Sequence, residues 1–407
     1  MWEAKCRPES EGDDSNVSSL SYVADACGEP LLSMNILDST SDYERWLGKM
    51  TDMQRSAIAR KHDEMRKGPF PLLRATFYRW IKHWRALCPE LDSRDQDVLL
   101  SVGDLHVENF GIWLDSHQRL VWGINDFDEA CELPFTSDLV RLGASIAIAA
   151  ETRQIQAPLR EICHRILDGY REGVKAEGKP ILVESGGHPK LKQLAAAIKS
   201  PGKFWKKHLN RKDNPQIGAT DLPSRVEDVF RASLPRKARP TYRRVRKPGG
   251  LGSLGRRRFT AVVGNGKMRD MREAKALVPS ALYWWEDRPR MLSQTSTLLQ
   301  RAIRDPDPHL QVHDKWLVRR IAPDALKIDL PASQADQRLA LAPMLLRLMG
   351  FETANIHLGS RSPADLIHLL ESLAREVGSR WLEQATERMV RAVYNDHRVW
   401  VKRYKPA

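Results

Sequence analysis

The chain has 407 residues, of which 42% are apolar and 29% charged, and its net charge is +13. No apolar run approaches the ~18 residues that span a bilayer, so we expect no membrane partner. The five cysteines are widely spaced and form no Cys-x-x-Cys pair, which argues against a disulfide framework and a zinc site and favours a cytoplasmic protein.

The first part of the chain alternates between helical and β-like patterns. Residues 1–40 carry little pattern, and we interpret them as a partly ordered leader. Helical periodicity then runs from Asp42 to Cys88, and the apolar run 98–102 predicts a buried strand that ends in a loop. Residues 111–124 predict a β-hairpin. Asp138 follows as the expected N-cap of an apolar helix.

The second part of the chain begins with residues 176–240, which are rich in Lys, Gly and Pro and are interpreted as a connector. We expect a β-rich unit over 241–330 and helices over 331–407. Between Arg236 and Arg258 there are ten basic residues and no acidic ones, so most of the net charge lies there. Such a stretch suits phosphate-bearing ligands, but on charge alone a solvated linker fits equally well.

One segment carries the residue types that phosphoryl transfer needs. In Gly103-Asp104-Leu105-His106-Val107-Glu108-Asn109, an Asp and an Asn stand five positions apart directly after a predicted strand. The reaction needs a carboxylate to accept the proton of an attacking hydroxyl and an oxygen-bearing side chain to hold magnesium. Asp126 follows a later β-run and would complete the magnesium shell. This order is the layout of kinase catalytic and metal loops.

These motifs resemble known families. The first run looks like the aminoglycoside-phosphotransferase branch of the kinase-like superfamily. The longer composite is similar to the bacterial domain-of-unknown-function family 2252, closely over about residues 70–150 and more loosely from Gly249 onward. It adds two runs, Asn125-Asp126-Phe127-Asp128-Glu129-Ala130 and Asp138-Leu139-Val140-Arg141-Leu142.

The resemblance implies a role for each matching residue. Asp104 matches the catalytic Asp, Asn109 and Asp126 match the metal-binding residues, and Asp138 matches an Asp that caps a helix and steadies the catalytic loop. The sequence departs from the kinase pattern at Val102, where a His is usual. Asp128 replaces the Gly of Asp-Phe-Gly, and His106 is either a phosphate contact or, as we favour, a buried histidine bonded to backbone.

A glycine-rich run later in the chain predicts a loop that covers phosphates. Its residues Gly250, Gly252, Ser253 and Gly255 have the required G-x-G-x-x-G spacing and precede an apolar β-run. Lys275 is the best match for a phosphate-pairing lysine on a strand, with an ordinary surface lysine as the alternative. Lys267 in the Gly264-Asn265-Gly266 turn is a weaker candidate, and Glu286 is a possible ion-pair partner for the lysine.

The order of these motifs is unusual, because the glycine run follows the Asp104 motif. We therefore expect an α+β, protein-kinase-like two-lobed fold that is circularly permuted and carries extra helices. Its catalytic lobe spans residues 41–175 and its nucleotide lobe 241–330, with helices 331–407 packing on the catalytic lobe. The glycines should lie across a cleft from Asp126, on the order of 10–15 Å away, with Arg256 to Arg258 near polyphosphate.

The leading hypothesis from sequence is a phosphotransferase that uses ATP and Mg and acts on an unidentified hydroxyl acceptor. Nucleotidyl transfer uses the same parts and stays open. The chief alternative is a non-catalytic nucleotide sensor or scaffold of the same fold. A nucleic-acid-binding protein that uses residues 236–258 ranks lower, because only Tyr242 is interleaved there as a stacking residue.

Overall fold

The structure is a computed structural model. It describes residues 35–184, 189–196, 201–210, 212–223, 225–245, 250–264, 269–288, 292–323, 326–327 and 341–404. Residues 1–34 of the leader predicted over 1–40 lie outside these ranges, as does Lys267 with residues 265 and 266 of its turn. Residues 36–40 of that leader belong instead to the first helix, Ile36–Met50, and three of them are buried. Among the residues described, no helix combines the length and the apolar character needed to cross a bilayer.

Helices make up most of the described chain. Their bounds are α1 Ile36–Met50, α2 Arg55–Arg66, α3 Pro69–Ala75, α4 Phe77–Leu87, α5 Pro89–Asp92, α6 Phe135–Thr152, α7 Leu159–Lys175, α8 Pro189–Ala196, α9 Pro201–His208, α10 Val226–Ser233, α11 Ala281–Trp285, α12 Thr295–Arg301, α13 Pro343–His357, α14 Pro363–Glu376 and α15 Trp381–Arg403.

The strands form separate antiparallel sheets, which confirms the α+β class. Their bounds are β1 Val98–Ser101, β2 Phe110–Leu114, β3 Leu120–Ile124, β4 Cys131–Pro134, β5 Ile181–Leu182, β6 Gln216–Ile217, β7 Thr241–Arg244, β8 Arg258–Val263, β9 Asp270–Ala276, β10 Gln311–His313, β11 Trp316–Arg320 and β12 Leu326–Lys327. The sheet orders are β1-β4, β12-β2-β3-β5 and β10-β11-β9-β8-β7-β6.

The hairpin predicted over residues 111–124 is confirmed as β2 and β3, with Gly111 opposite Gly123. The start of the following helix is corrected. Helix α6 begins at Phe135, so Asp138 is not its N-cap. Asp138 lies in the first turn of α6, and its carboxylate accepts hydrogen bonds from the backbone amides of Val102 and Gly103.

The two faces of the six-stranded sheet differ, because side chains alternate along a strand with a period of two residues. One face is apolar, and the other carries charged side chains next to a small apolar cluster of Val262, Met271 and Trp205. Its apolar face packs against α10 through buried side chains that include Phe230, Phe259 and Trp316. The opposite face carries Glu273 and Lys275 of β9. Because Lys275 is opposite Arg258 in the β8 register, both side chains leave the sheet on this charged face.

Two long helices in the rest of the chain pack unusually closely. A Cβ at Gly169 of α7 would stand 1.8 Å from the Arg347 carbonyl oxygen, and one at Gly350 of α13 would stand 2.0 Å from the Ile166 carbonyl oxygen. Only residues without a Cβ permit this approach of the two backbones. It ties the C-terminal helix α13 to α7, which lies in the first half of the chain.

Residues 176–240 are more than a connector. Strand β5 extends the β2-β3 sheet, while β6 and α10 belong to the six-stranded sheet and its apolar core. These strands have only two residues and the helices eight. Elements this short contain too few periods for a hydrophobic pattern to reveal them, which is why the sequence did not predict them.

Candidate active site

Asp104 lies in the loop that follows β1, and hydrogen bonds to Asp138 hold the backbone of this loop in place. The Asp138 carboxylate accepts hydrogen bonds from the amides of Val102 at 2.7 Å and Gly103 at 2.9 Å. Gly103 has φ +79°, and a Cβ there would meet the Glu129 carbonyl oxygen at 2.3 Å. Only glycine therefore permits this turn, and the Asp104 position is fixed by its backbone.

A buried chain of hydrogen bonds supports Asp138 in turn. His357 Nε2 lies 3.2 Å from Asp138 Oδ2, and Tyr170 Oη lies 2.9 Å from His357 Nδ1. Asp138 and His357 are fully buried. This network agrees with the role that the resemblance implies for Asp138, which is to steady the loop. It also uses a histidine from α13, whereas the kinase-like position Val102 has none.

The Asp104 side chain is held by Arg141 of α6. Arg141 donates to Asp104 Oδ1 from Nε at 3.0 Å and, more closely, from Nη2. The guanidinium is buried over the rings of Phe77 and Trp80, which fix its position. Burial raises the pKa of Asp104 to about 7 even though Arg141 lowers it. A carboxylate with a pKa near neutrality suits a general base.

Asn109 and Asp126 are brought together by backbone pairing. The Asn125 amide donates to the Asn109 carbonyl at 2.9 Å, which places Asp126 beside the end of the Asp104 loop. Asn109 Oδ1 already accepts the His106 amide at 2.5 Å. His106 Nδ1 accepts the Glu108 amide, which agrees with the interpretation of His106 as a buried histidine bonded to backbone.

Lys275 projects from β9 toward the two aspartates. Its Nζ lies 2.5 Å from Asp128 Oδ2 and 3.6 Å from Asp126 Oδ1, and its side chain is buried. Lys275 is therefore not an ordinary surface lysine. Glu286 is not its partner, because that carboxylate pairs with Arg85 and Arg288.

The glycine segment, residues 250–255, closes directly onto the Asp104 loop. A Cβ at Gly252 would lie 3.1 Å from Asp104 Oδ2 and 3.2 Å from the Arg74 carbonyl oxygen. Gly250 has φ +88° and Gly255 has φ +99°, so both ends of the segment take left-handed conformations that favour glycine. The segment thus packs on Asp104. The open cleft that the sequence predicted between the glycines and Asp126 is not present.

Two arginines beside the glycine segment point inward. Arg256 is buried and pairs with Glu129 at 3.0 Å and Asp128 at 3.5 Å. Arg258 is buried as well and pairs with Glu273 at 3.2 Å. These contacts are internal, so neither side chain faces solvent. Arg257 is more exposed and pairs with Asp52 at 2.8 Å.

Six of the eight predicted residues line a cavity of about 30 Å³, whereas Gly255 and Lys275 are not among its lining residues. It is lined by Asp104, Asn109, Asp126, Gly250, Gly252 and Ser253, and by residues that sequence reasoning missed, among them Arg74, Glu129 and Arg256. Such a volume holds one small ion or water and not a nucleotide. Nucleotide binding therefore requires the glycine segment to lift.

The oxygen donors at this cavity fit magnesium. Asp128 Oδ1 is buried without a hydrogen-bond partner, so it is an acceptor that a cation would satisfy. Mg²⁺ commonly binds one or two carboxylates together with substrate phosphates, and Asp126 and Asn109 would serve that mode. In the described part of the chain, no group of three or more His, Cys, Asp or Glu residues is arranged to hold a metal.

The comparison with protein families identifies one stretch of the chain. Residues 54–184 match DUF2252, an uncharacterized protein family conserved in bacteria. The DUF2252 match includes Asp104, Asn109, Asp126 and Arg141 and ends before the glycine segment. No curated protein and no solved structure matches the chain significantly. The DUF2252 resemblance expected from the motifs is thus confirmed over this range.

Among the residues that the sequence did not single out, Glu129 has a recognisable signal. Its Oε2 accepts the amide of Ala281 at the start of α11 at 2.8 Å, while Oε1 binds Arg256. Glu129 directly follows the Asn-Asp-Phe-Asp run, and a charged residue that is buried there would need a partner of opposite charge. Arg141 could have been found in the same way, because it is the one cation in the apolar helix α6.

Proposed function

We propose that the chain is a magnesium- and ATP-dependent phosphotransferase of kinase-like fold, circularly permuted, acting on a hydroxyl acceptor. The observation that carries this proposal is the contact between Gly252 and Asp104. The glycine segment begins about 145 residues after the Asp104 loop, and yet its backbone lies against the Asp104 carboxylate. In protein kinases a glycine-rich loop covers the phosphates beside the catalytic Asp, so two such segments belong at one site.

The arrangement of the six-stranded sheet also supports a nucleotide lobe. Along the chain, β7 leads into the glycine segment, and β8 and β9 follow, with Lys275 near the end of β9. Protein kinases likewise place a glycine-rich loop before the strand that carries the phosphate-pairing lysine. Helices α13 to α15 then return to the part of the chain that holds Asp104, as a permuted order demands.

Each residue has a role in the proposed reaction. Asp104 accepts the proton of the acceptor hydroxyl as its oxygen bonds to the γ-phosphorus of ATP, and the bond from that phosphorus to the bridging oxygen breaks to release ADP. Asn109 and Asp126 hold magnesium, which when bound neutralises phosphate charge. Lys275 binds the phosphate oxygens, and amides of the glycine segment cover them.

Opening of the glycine segment is part of the proposal, because the cavity of about 30 Å³ excludes a nucleotide. Gly250 and Gly255 lie at its two ends and can change backbone conformation without a Cβ penalty. In the closed state Lys275 bridges Asp126 and Asp128. When a nucleotide binds, its phosphates would replace the two aspartates as partners of Lys275. In the closed state the aspartates neutralise the charge of this buried lysine.

The closed cavity also supports the second candidate, a nucleotide sensor or scaffold of the same fold that does not turn over ATP. The nucleic-acid hypothesis loses support, because Arg256 and Arg258 of the basic stretch are buried in ion pairs and Arg257 is paired with Asp52. Those three side chains cannot all serve as phosphate contacts of an extended polyanion without breaking internal pairs.

The test is ATP turnover by the purified chain, measured as ADP release with and without magnesium. A phosphotransferase should show magnesium-dependent turnover, with water as a slow acceptor, that falls at least about 100-fold in Asp126→Ala. The control Asp42→Ala removes a partly exposed carboxylate of α1, which pairs with Arg45, and should leave turnover unchanged. Magnesium-dependent ATP binding without turnover, tested against a broad set of hydroxyl compounds, would favour the sensor instead.

A further inference from the structure

Lys275 contacts carboxylates of the candidate site, and one of these is a proposed magnesium ligand. Its Nζ lies 2.5 Å from Asp128 Oδ2 and 3.6 Å from Asp126 Oδ1. Only 3% of the lysine side chain is exposed, so the ammonium has little contact with water and depends on these two carboxylates for a partner. In the closed state, therefore, a cation of the protein itself already offsets the charge of both aspartates.

The six-stranded sheet offers Lys275 no other carboxylate. Glu273 leaves β9 on the same face as Lys275, because the two residues are two positions apart. The Glu273 carboxylate is paired with Arg258 at 3.2 Å and with Arg319 at 2.8 Å. Within the described residues, the salt bridges of Lys275 are those to the two aspartates. The lysine charge is thus committed to the site that would hold the metal.

Asp128 is the departure from the kinase pattern that strengthens this contact. It stands where the Asp-Phe-Gly run has a glycine, and it supplies the shorter of the two contacts to Lys275. With a glycine at position 128, the lysine would keep only the 3.6 Å contact to Asp126. Arg256 Nη1 also lies 3.5 Å from Asp128 Oδ2. In the closed state, the carboxylate at position 128 therefore serves cations of the protein.

A metal ion and the Lys275 ammonium compete for the charge of these aspartates. A divalent ion about 4 Å from an ammonium meets the repulsion of two unit charges, and a buried site screens that repulsion poorly. Mg²⁺ also relies on phosphate oxygens when a site supplies few carboxylates. We propose that Lys275 excludes divalent metal from the nucleotide-free site, and that metal enters only with the nucleotide, whose phosphates draw the ammonium away from Asp126 and Asp128.

This inference rests on the proposed phosphotransferase function and adds a binding order to it. Magnesium bridges phosphate oxygens of the nucleotide, so the two arrive as one complex. A metal that bound first would leave Lys275 as a buried charge without a partner, which is strongly unfavourable. Metal and nucleotide should therefore bind with positive coupling, and each should raise the affinity for the other by the same factor.

The experiment is titration of the nucleotide-free full chain with Mn²⁺, which takes the same oxygen ligands as Mg²⁺ and is followed by electron paramagnetic resonance. Lys275→Met removes the ammonium and keeps an apolar stem, so it should bind Mn²⁺ at least about tenfold more tightly than the wild type. Adding Asp126→Asn to that variant should remove the gain. The control Lys315→Met changes an exposed lysine directly before β11 and should match the wild type.

Lys275→Gln covers the case in which Lys275→Met does not fold, as judged by circular dichroism. It also lacks the charge, while its amide can still donate to Asp128, and it should show the same gain in Mn²⁺ affinity. Equal Mn²⁺ affinity in the wild type and a folded Lys275 variant would overturn the proposal. Nucleotide-free Mn²⁺ binding by the wild type that Asp126→Ala abolishes would overturn it without any lysine variant.

These readouts separate the failure of this inference from the failure of the proposed function. The gain in Mn²⁺ affinity needs no nucleotide, so it can be measured in a chain that never binds ATP. If the gain is present and ATP binding is absent, Lys275 does exclude metal, and the phosphotransferase proposal is wrong. If ATP binding depends on magnesium and the gain is absent, the exclusion by Lys275 is wrong and the proposed function stands.

Discussion

Gly252 lies against Asp104, so close that a Cβ would come within 3.1 Å of the Asp104 Oδ2 atom. The same Cβ would approach the Arg74 carbonyl to 3.2 Å, and a backbone carbonyl cannot rotate away as a side chain can. The lack of a side chain at residue 252 is therefore a condition for closing the glycine segment over the proposed base. Several experiments depend on this contact.

Gly252→Ala should hold the segment away from Asp104 and tighten ATP binding by up to about 10-fold, because the closed state that excludes the nucleotide is then less populated. The matched control is Gly48→Ala in α1, where a Cβ meets nothing within 4 Å. That control should keep the wild-type ATP affinity and gain about 0.5–1 kcal/mol in stability to urea. Equal ATP affinity in the two variants would show that the contact of Gly252 with Asp104 does not hold the segment closed.

Asp104→Asn should lower phosphoryl transfer by a factor of about 10²–10⁴, because asparagine cannot accept the proton of the attacking hydroxyl. ATP affinity should remain almost unchanged, since Asp104 acts on the acceptor and not on the phosphates. Turnover and nucleotide binding are measured on the same preparation, with Asp95→Asn on the exposed surface as the control. Near-normal turnover in Asp104→Asn would remove this residue from the catalytic role.

The pH dependence of turnover should report Asp104 and its partner Arg141. Burial raises the pKa of Asp104 to about 7, and Arg141 acts in the opposite direction. As the base is active when ionised, kcat/KM should rise with pH through about 7. Arg141→Met should move that rise to higher pH, and Arg141→Lys should move it less. An unchanged pH profile in a folded Arg141→Met variant would contradict the assignment.

The sequence motifs predicted residues that the structure brings together, but not that the glycine segment closes over them. Asp104, Asn109 and Asp126 line one cavity, and Lys275 forms ion pairs with Asp128 and, at 3.6 Å, with Asp126. The motifs carry this information because metal and phosphate chemistry restricts residue type and spacing. An open cleft was expected because the prediction left room for one triphosphate between the glycines and Asp126.

The missed features depend on contacts between distant parts of the chain. His357 reaches Asp138 only because α13 packs against α7 through glycines, and nothing local to His357 indicates that contact. Arg256 was counted among solvated or phosphate-binding basic residues, yet Glu129 neutralises it inside the protein. A charged side chain is buried only where the fold places an opposite charge next to it. A count of charges along the sequence does not show which residues become neighbours.

The stability of the six-stranded sheet should depend on pH through Glu273. Arg319 and Arg258 outweigh its burial and lower the pKa of Glu273 to about 2. A carboxyl whose folded pKa is lowered stabilises the fold above its unfolded pKa of about 4.3, and this contribution is lost as the pH falls toward about 2. Glu273→Gln should therefore lose on the order of 3 kcal/mol at pH 7.

The measurement is urea unfolding of Glu273→Gln and of the wild type between pH 3 and pH 7. The difference in free energy of unfolding should be large at neutral pH and shrink as the pH falls. Glu286→Gln, which changes a surface-paired carboxylate, serves as the control and should show a small and nearly constant difference. A pH-independent loss in Glu273→Gln would mean that packing, and not charge, is responsible.

The central claim is that residues from the Asp104 loop, Asp126 and the glycine segment form one site for magnesium and ATP. Titration of ATP into the full chain with and without magnesium tests it most directly, in the wild type, Asp126→Ala and the control Asp42→Ala. We predict that magnesium tightens ATP binding at least about tenfold in the wild type and the control, and that Asp126→Ala abolishes this difference. A magnesium dependence that survives intact in Asp126→Ala would contradict the account.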